Sequence, residues 1–282
     1  MFHRFSVKGV PVSGAPFLLL QRLLILLFFC AIAQATQAGN CAAERISERV
    51  QVIHVYDGDT VKLKDGRRLR FIGINTPETG HHEQVKQPFA SEATALLQKL
   101  LDKHNRTLLL QAGREHRDHY GRQLAHVFLE DGTNIAVQLL QKGLATTLVV
   151  PPNTWGQRCY QHYEDLARIE GLGLWGLDSY RTKESKLLAP NTRGFRIIRG
   201  QVQEVRQSRH TTRVSLEGSL VITISKKDLV NFETGFLEGL EGRQVETRGW
   251  VKPVRDGLQM RVKHPAALAV ITTSSDNHPG TK

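Results

Sequence analysis

Asp57-Gly58-Asp59-Thr60-Val61-Lys62-Leu63-Lys64-Asp65-Gly66-Arg67-Arg68-Leu69-Arg70-Phe71-Ile72-Gly73-Ile74-Asn75-Thr76-Pro77-Glu78-Thr79 is the stretch from which the fold is read. Residues 60–63 and 68–74 alternate around Lys64-Asp65-Gly66-Arg67, the pattern of a β-hairpin with a turn at its tip. The apolar, β-branched run 50–56 precedes them as a further strand, interrupted by Asp57-Gly58-Asp59. Downstream the period changes from two to that of a helix. Pro88 is expected to open a helix with the apolar face Phe89, Ala93, Leu96, Leu97, Leu100 and Leu101. Residues 108–110 and 124–129 read as strands. Residues 134–142 and 158–170 read as helices stopped by Gly143 and Gly171. Residues 50–175 thus outline a small β-barrel with three helices.

Beyond it, 179–194 is a polar linker. Three strand signals (195–205, 212–216, 220–224), a helix at 228–237 and two strands (244–251, 258–262) then follow. Three strands, a helix and two strands is the order of an OB-fold barrel. The expected fold class is α+β, mainly β: a barrel domain at 47–178, the linker 179–194, an OB-like barrel domain at 195–272 and a tail at 273–282.

The chain of 282 residues carries a net charge of +11, which suits a polyanionic partner. Residues 1–38 read as an export signal, with a basic flank, the apolar run LLILLFFCAIA at 23–33, and small-x-small sites ending at Ala35 and Ala38. That run is short for a membrane span. The expectation is export to the periplasm or the medium, with no stable membrane association after cleavage; an uncut anchor is the competing reading. Cleavage takes Arg4, Lys8 and Arg22 from the +11 and leaves +8. It also removes Cys30, leaving Cys41 and Cys159 to form a disulfide or to stay as free thiols. No cysteine spacing matches a zinc site. Oligomeric state has no signal in the sequence.

Three segments concentrate groups suited to phosphate chemistry. Asp57-Gly58-Asp59-Thr60 places two carboxylates at a strand break. In 70–79 a strand carries Arg70 and ends in a proline-fixed turn bearing Glu78, where Thr76 is biased to extended backbone. Asp118-His119-Tyr120-Gly121-Arg122 is a second turn bearing an arginine. Guanidinium stays charged and grips phosphate oxygens as a two-pronged fork. Each segment alone would be an ordinary turn.

Together, in this order, DGDTVKL (57–63), LRFIGINTPET (69–79) and DHYGRQLAHV (118–127), with LLQKGLA (139–145) and GLW (173–175), resemble the staphylococcal nuclease (thermonuclease) family over about 50–175. The resemblance implies an OB-fold-type five-stranded barrel with three helices, and a metal-dependent phosphodiesterase that cuts DNA or RNA and leaves 3′-phosphate ends. It implies that Arg70 and Arg122 stabilise the transition state while Glu78 activates water. By the same likeness Asp59, Asn75 and the Thr76 carbonyl hold calcium, with magnesium or another divalent ion as the alternative, and Tyr120 contacts a phosphate. Two departures stand out. Asn75 replaces an aspartate, which removes a charge from the metal site. Residues 147–152 (TLVVPP) also lie where the family places base-stacking tyrosines. The alternative function is a non-catalytic nucleic-acid-binding protein of the same fold. His81, His82, His116 and His119 read as surface histidines, and Lys86 is a loose candidate for substrate contact. In the second domain Arg196, Arg199, Arg206, Arg209, Arg213, Arg248 and Arg261 suggest a basic surface, with Trp250 and Phe232 expected in the core.

Overall fold

A computed structural model describes residues 41–80 and 85–271. The 1–38 signal, the 273–282 tail, His81 and His82 lie outside the described residues.

Five strands build the first barrel: β1 (Glu48–Val55), β2 (Thr60–Leu63), β3 (Arg68–Phe71), β5 (Thr107–Arg117) and β6 (Gln123–Phe128). They close in the order β1-β2-β3-β6-β5, with β3 and β6 parallel and every other pair antiparallel. That is the OB arrangement. Val61, Leu63, Leu69, Leu108, Leu110 and Ala125 point inward and are fully buried. Helix α1 (Ala90–Lys103) lays Ala93, Leu97 and Leu101 onto this core at a spacing of four. It begins at Ala90 rather than Pro88, because Phe89 takes a left-handed conformation as its N-cap. Helices α2 (Ile135–Gln141), capped by the Asn134 side chain, and α3 (Gln157–Ile169) complete the set.

The strand expected over 68–74 is two strands. Gly73, at φ 90°, turns the chain out of the barrel, and β4 (Gly73–Asn75) pairs instead with β7 (Thr146–Leu148). A Cβ on Gly73 would lie 2.3 Å from the Tyr160 ring, so the turn needs glycine for space as well as for backbone freedom. Strand β5 is also longer than its apolar segment, because its second half (Arg114–Arg117) is exposed and charged.

Cys41 and Cys159 are disulfide-bonded, with Cα atoms 5.8 Å apart. Beside them lies a buried polar network. The Asn134 amide donates to the Cys41 carbonyl (2.9 Å) and to the Tyr160 hydroxyl (3.2 Å), and that hydroxyl lies 3.1 Å from His126 Nδ1. Burial pushes His126 down to about 4 and raises the Tyr160 hydroxyl.

The second barrel repeats the connectivity. Strands β9 (Gly194–Gln207), β10 (Thr211–Leu216), β11 (Leu220–Ser225), β12 (Gln244–Val254) and β13 (Gly257–Arg261) run β9-β10-β11-β13-β12 and close on β9, again with the third and fifth parallel. Its core centres on Ile198, Val214, Ile222, Val245 and Met260. The helix expected at 228–237 is replaced by 3-10 turns, Lys226–Asn231 and Glu238–Leu240. Gly235 at φ 80° and the poor helix formers Asn231, Phe232 and Thr234 stop a longer helix. The stretch 179–194 is structured too, since β8 (Thr182–Glu184) runs parallel to β9; farther on, β14 (Leu268–Val270) pairs with β12. Phe232 packs on the core as expected. Trp250 does not, being 50% exposed.

From Cys41 onward the chain is one compact unit. Ala167, Trp175 and Ile197 form a small shared core between the barrels. Arg248 of β12 ion-pairs with the buried Glu164 of α3. Glu164 also accepts bonds from the backbone N–H and the hydroxyl of Thr147, each 2.7 Å.

Candidate active site

Three turns at one end of the first barrel hold the polar residues. In the first, Asp57 accepts the N–H of Asp59 at 2.9 Å, the local bond that aspartate makes in a turn. Gly58 between them has no room for a side chain, since a Cβ would sit 2.8 Å from both Ala93 and Thr76. Asp59 is buried at 4% exposure and accepts on both oxygens. One oxygen accepts the Thr60 hydroxyl (3.0 Å); the other takes the Thr76 N–H (2.7 Å) and the Arg70 guanidinium (3.0 Å). Burial, reinforced by repulsion from Asp59, pushes Asp57 up to about 7.

Arg70 leaves the end of β3 and caps the turn that follows. It donates to the carbonyls of Phe71 (2.7 Å) and Ile74 (3.0 Å) and to the Asn75 amide oxygen (3.1 Å). The Asn75 amide in turn donates to the Thr76 carbonyl at 3.3 Å. Glu78 is exposed; its backbone is clamped by Gln87, whose side chain accepts the Glu78 N–H (3.1 Å) and whose own N–H reaches the Glu78 carbonyl (3.0 Å).

The third turn joins β5 to β6. Asp118 accepts the N–H groups of Tyr120 (3.0 Å) and Arg122 (2.9 Å) with one oxygen and the Arg122 Nε with the other (2.7 Å). Burial opposes ionisation of Asp118, yet these bonds outweigh it and hold the carboxyl below the usual range. Only Nε of the Arg122 side chain has a hydrogen-bond partner among the described residues, and Arg122 lines the cleft. Tyr120 is 73% exposed, and the Arg122 guanidinium lies 5.4 Å from its ring centre.

A cleft of about 580 Å³ gathers Arg70, Asn75, Glu78 and Arg122 on one wall system. Asp59 and Thr76 lie one layer behind it, reached through Arg70. Tyr120 is outside. Asp118 was not singled out from the sequence, although its position four residues before Arg122 across a glycine turn was a usable signal. Lys227, Asp228 and Lys263 of the second barrel also line the cleft. Nothing local in the sequence marks them.

The donors available to a metal are all oxygens: the Asp57 and Asp59 carboxylates, the Asn75 amide and the Thr76 carbonyl. That set suits a hard divalent cation. Two crowded carboxylates, one of them driven up in pKa, and the buried Thr76 hydroxyl, without a hydrogen-bond partner among the described residues, suit a cation held among them. Among the described residues, no three His, Cys, Asp or Glu side chains converge, so only part of the charge is present. The residues fit a hard cation with a thin carboxylate complement.

Residues 68–176 match the family model described as staphylococcal nuclease homologue. The chain is 36% identical over 131 residues to a thermonuclease of Staphylococcus intermedius, covering 45% of this chain and 76% of that protein. It is 38% identical over 129 residues to a thermonuclease of Staphylococcus hyicus, covering 44% and 74%. It is 32% identical over 130 residues to the endonuclease YncB of Bacillus subtilis (strain 168), covering 45% and 61%. All three likenesses account for less than half of this chain. The cleft with its two arginines and exposed carboxylate is where such kinship predicts chemistry on a phosphodiester: the chain is a nuclease, a phosphodiester hydrolase, and belongs to the staphylococcal nuclease homologue family.

Proposed function

We propose that the protein is an exported, metal-dependent nuclease that cuts DNA or RNA strands and leaves 3′-phosphate ends. The observation that carries this reading is the convergence of Arg70, Glu78 and Arg122 on one cleft. Glu78 has an exposed carboxylate on a backbone clamped by Gln87, so it can take a proton from water as the water oxygen attacks phosphorus. The new P–O bond forms as the bond to the 5′ oxygen breaks, and that oxygen takes up a proton from solvent. The terminal nitrogens of Arg122 meet the charge that grows on the phosphoryl oxygens. Asp118 fixes Arg122 by its Nε, and no hydrogen-bond partner among the described residues takes its terminal nitrogens. Arg70 supplies a second fixed charge to the same cleft. Asp59, with the Asn75 amide oxygen and the Thr76 carbonyl, would hold the divalent ion, calcium or magnesium, which supplies positive charge beside the phosphate.

The test is cleavage of single-stranded DNA by the protein from Cys41 onward, in calcium, in magnesium and in chelator, with end-group analysis. Cleavage in calcium that ends in chelator and yields 3′-phosphates is expected. Unchanged cleavage in chelator removes the metal, and 3′-hydroxyl products remove the stated bond. Glu78→Gln and Arg122→Ala should each lower kcat by roughly a hundredfold or more, the scale of losing one transition-state donor or base. Near-normal turnover in both would remove them from the reaction. Export is read from residues 1–38, and intact mass of the protein recovered outside the cytoplasm tests it.

A further inference from the structure

Next to the cleft runs a groove of about 400 Å³ between the barrels. Leu148, Val150 and Lys263 line both cavities, so the groove and the cleft adjoin. The first barrel gives the groove an apolar side around Leu148 and Val149. The second gives it cations and an aromatic. Arg261 and Lys263 line it and are exposed, Lys227 is exposed in the adjoining cleft, and the buried Asp228 carboxylate lies 3.5 Å from Arg261. Arg248 at the floor is already neutralised by Glu164. Asn231, at the end of the 3-10 turn bearing Lys227, donates to the Lys263 carbonyl at 2.9 Å, so the backbone carrying the two lysines is tied together.

Trp250 is the unusual element. Other large apolar side chains of the barrels are exposed too, Ile53 and Val254 among them, but of the three tryptophans Trp250 alone is exposed, with half of the residue facing solvent. It is also braced. Phe195 meets it edge-on at 5.3 Å, Tyr180 meets Phe195 at 5.4 Å, and Trp175 of the shared core meets Tyr180 at 5.7 Å. A rigid, half-open indole beside cations joins the two features by which proteins hold unpaired strands, base stacking and backbone charge. In a duplex the bases are stacked and paired, so only an unpaired base can lie on it.

We propose that this groove and the adjoining cleft together form the track for single-stranded nucleic acid, with Lys227, Lys263 and Arg261 on its phosphates and Trp250 stacked on a base. The proposal rests on the nuclease reading and deepens it, by giving the second barrel the task of selecting unpaired strands.

The test uses the protein from Cys41 onward as wild type, Trp250→Ala, Trp250→Phe and Lys227→Ala/Lys263→Ala, with Lys99→Ala on the exposed face of α1 as a charge control. Binding of a fluorescent oligothymidylate is measured in chelator across salt, and KM and kcat on that strand in calcium. Trp250→Ala should weaken binding and raise KM by roughly tenfold or more, with Trp250→Phe recovering part of the loss. The double lysine variant should flatten the salt dependence by about 0.7 per lysine removed. Lys99→Ala should do neither. Wild-type binding and salt slope in both groove variants would overturn the track and leave the nuclease reading standing. A wild type that binds the strand and loses it in the groove variants, yet cuts nothing in calcium, would keep the track and sink the nuclease reading.

Discussion

Arg248→Met tests the joint between the barrels. In the wild type Glu164 is 1% exposed, and Arg248, itself 15% exposed, is its cation. Removing one partner of a buried pair strands the other charge and costs about 3–5 kcal/mol. The lower end applies here, because Thr147 still gives Glu164 two bonds of 2.7 Å each. A loss of about 3 kcal/mol lowers Tm by roughly 6–12 °C in a chain of this size. The assay is urea unfolding followed by tryptophan fluorescence, since Trp155 and Trp250 report on different barrels. Adding Glu164→Gln to Arg248→Met removes the stranded charge, and the double variant should be more stable than Arg248→Met alone. A cost below about 1 kcal/mol for Arg248→Met, or a cycle without coupling between the two positions, would refute the reasoning.

Other outcomes follow from separate parts of the molecule. Asn75→Asp adds a carboxylate to a thin donor set and should tighten calcium binding by about tenfold in calorimetry, because affinity at such sites follows ligand charge; unchanged affinity would take residue 75 out of the metal site. Reducing the Cys41–Cys159 bond, which spans 118 residues, should cost up to about 4–5 kcal/mol in urea unfolding, the loop-entropy limit for a loop of that length; an unchanged midpoint would dismiss the bond as a brace. His126, lowered from 6.5 to about 4, binds its proton more readily unfolded than folded. Stability is therefore full above pH 6.5 and falls between 6.5 and about 4, by about 3 kcal/mol at roughly 1.36 kcal/mol per pH unit. His126→Gln should remove that part of the acid sensitivity, and a variant with the same pH profile as wild type would contradict the assignment.

Much of the first barrel was legible because its strands alternate and its helices keep the apolar spacing of Ala93, Leu97 and Leu101. What escaped was set by tertiary contact. Nothing in the apolar pattern of 68–74 shows that Gly73 meets the Tyr160 ring and sends the chain to β7. The second half of β5 is charged and exposed, so its pairing with β6 leaves no hydrophobic trace. Arg70, Asn75, Glu78 and Arg122 were visible as motif residues and do share a cleft. Lys227 and Lys263 were invisible because they reach it from another domain, more than a hundred residues away in sequence. Trp250 was misjudged for a related reason. Tryptophan is usually buried, and an exposed, braced one can be known only from its neighbours.

The saturation of Arg70 has a consequence for the timing of binding. Fixing a free arginine side chain costs about 2 kcal/mol of rotamer entropy. Here the carbonyls of Phe71 and Ile74 and the side chains of Asn75 and Asp59 hold the guanidinium in place, so that ordering is complete once the chain has folded. An arriving phosphate meets a charge that is already aimed and must share it with Asp59, so occupancy of that position is a competition between two anions. Arg122, hydrogen-bonded among the described residues at Nε alone, still has its fork to settle. The two arginines therefore divide the encounter between a fixed post and an adaptable one.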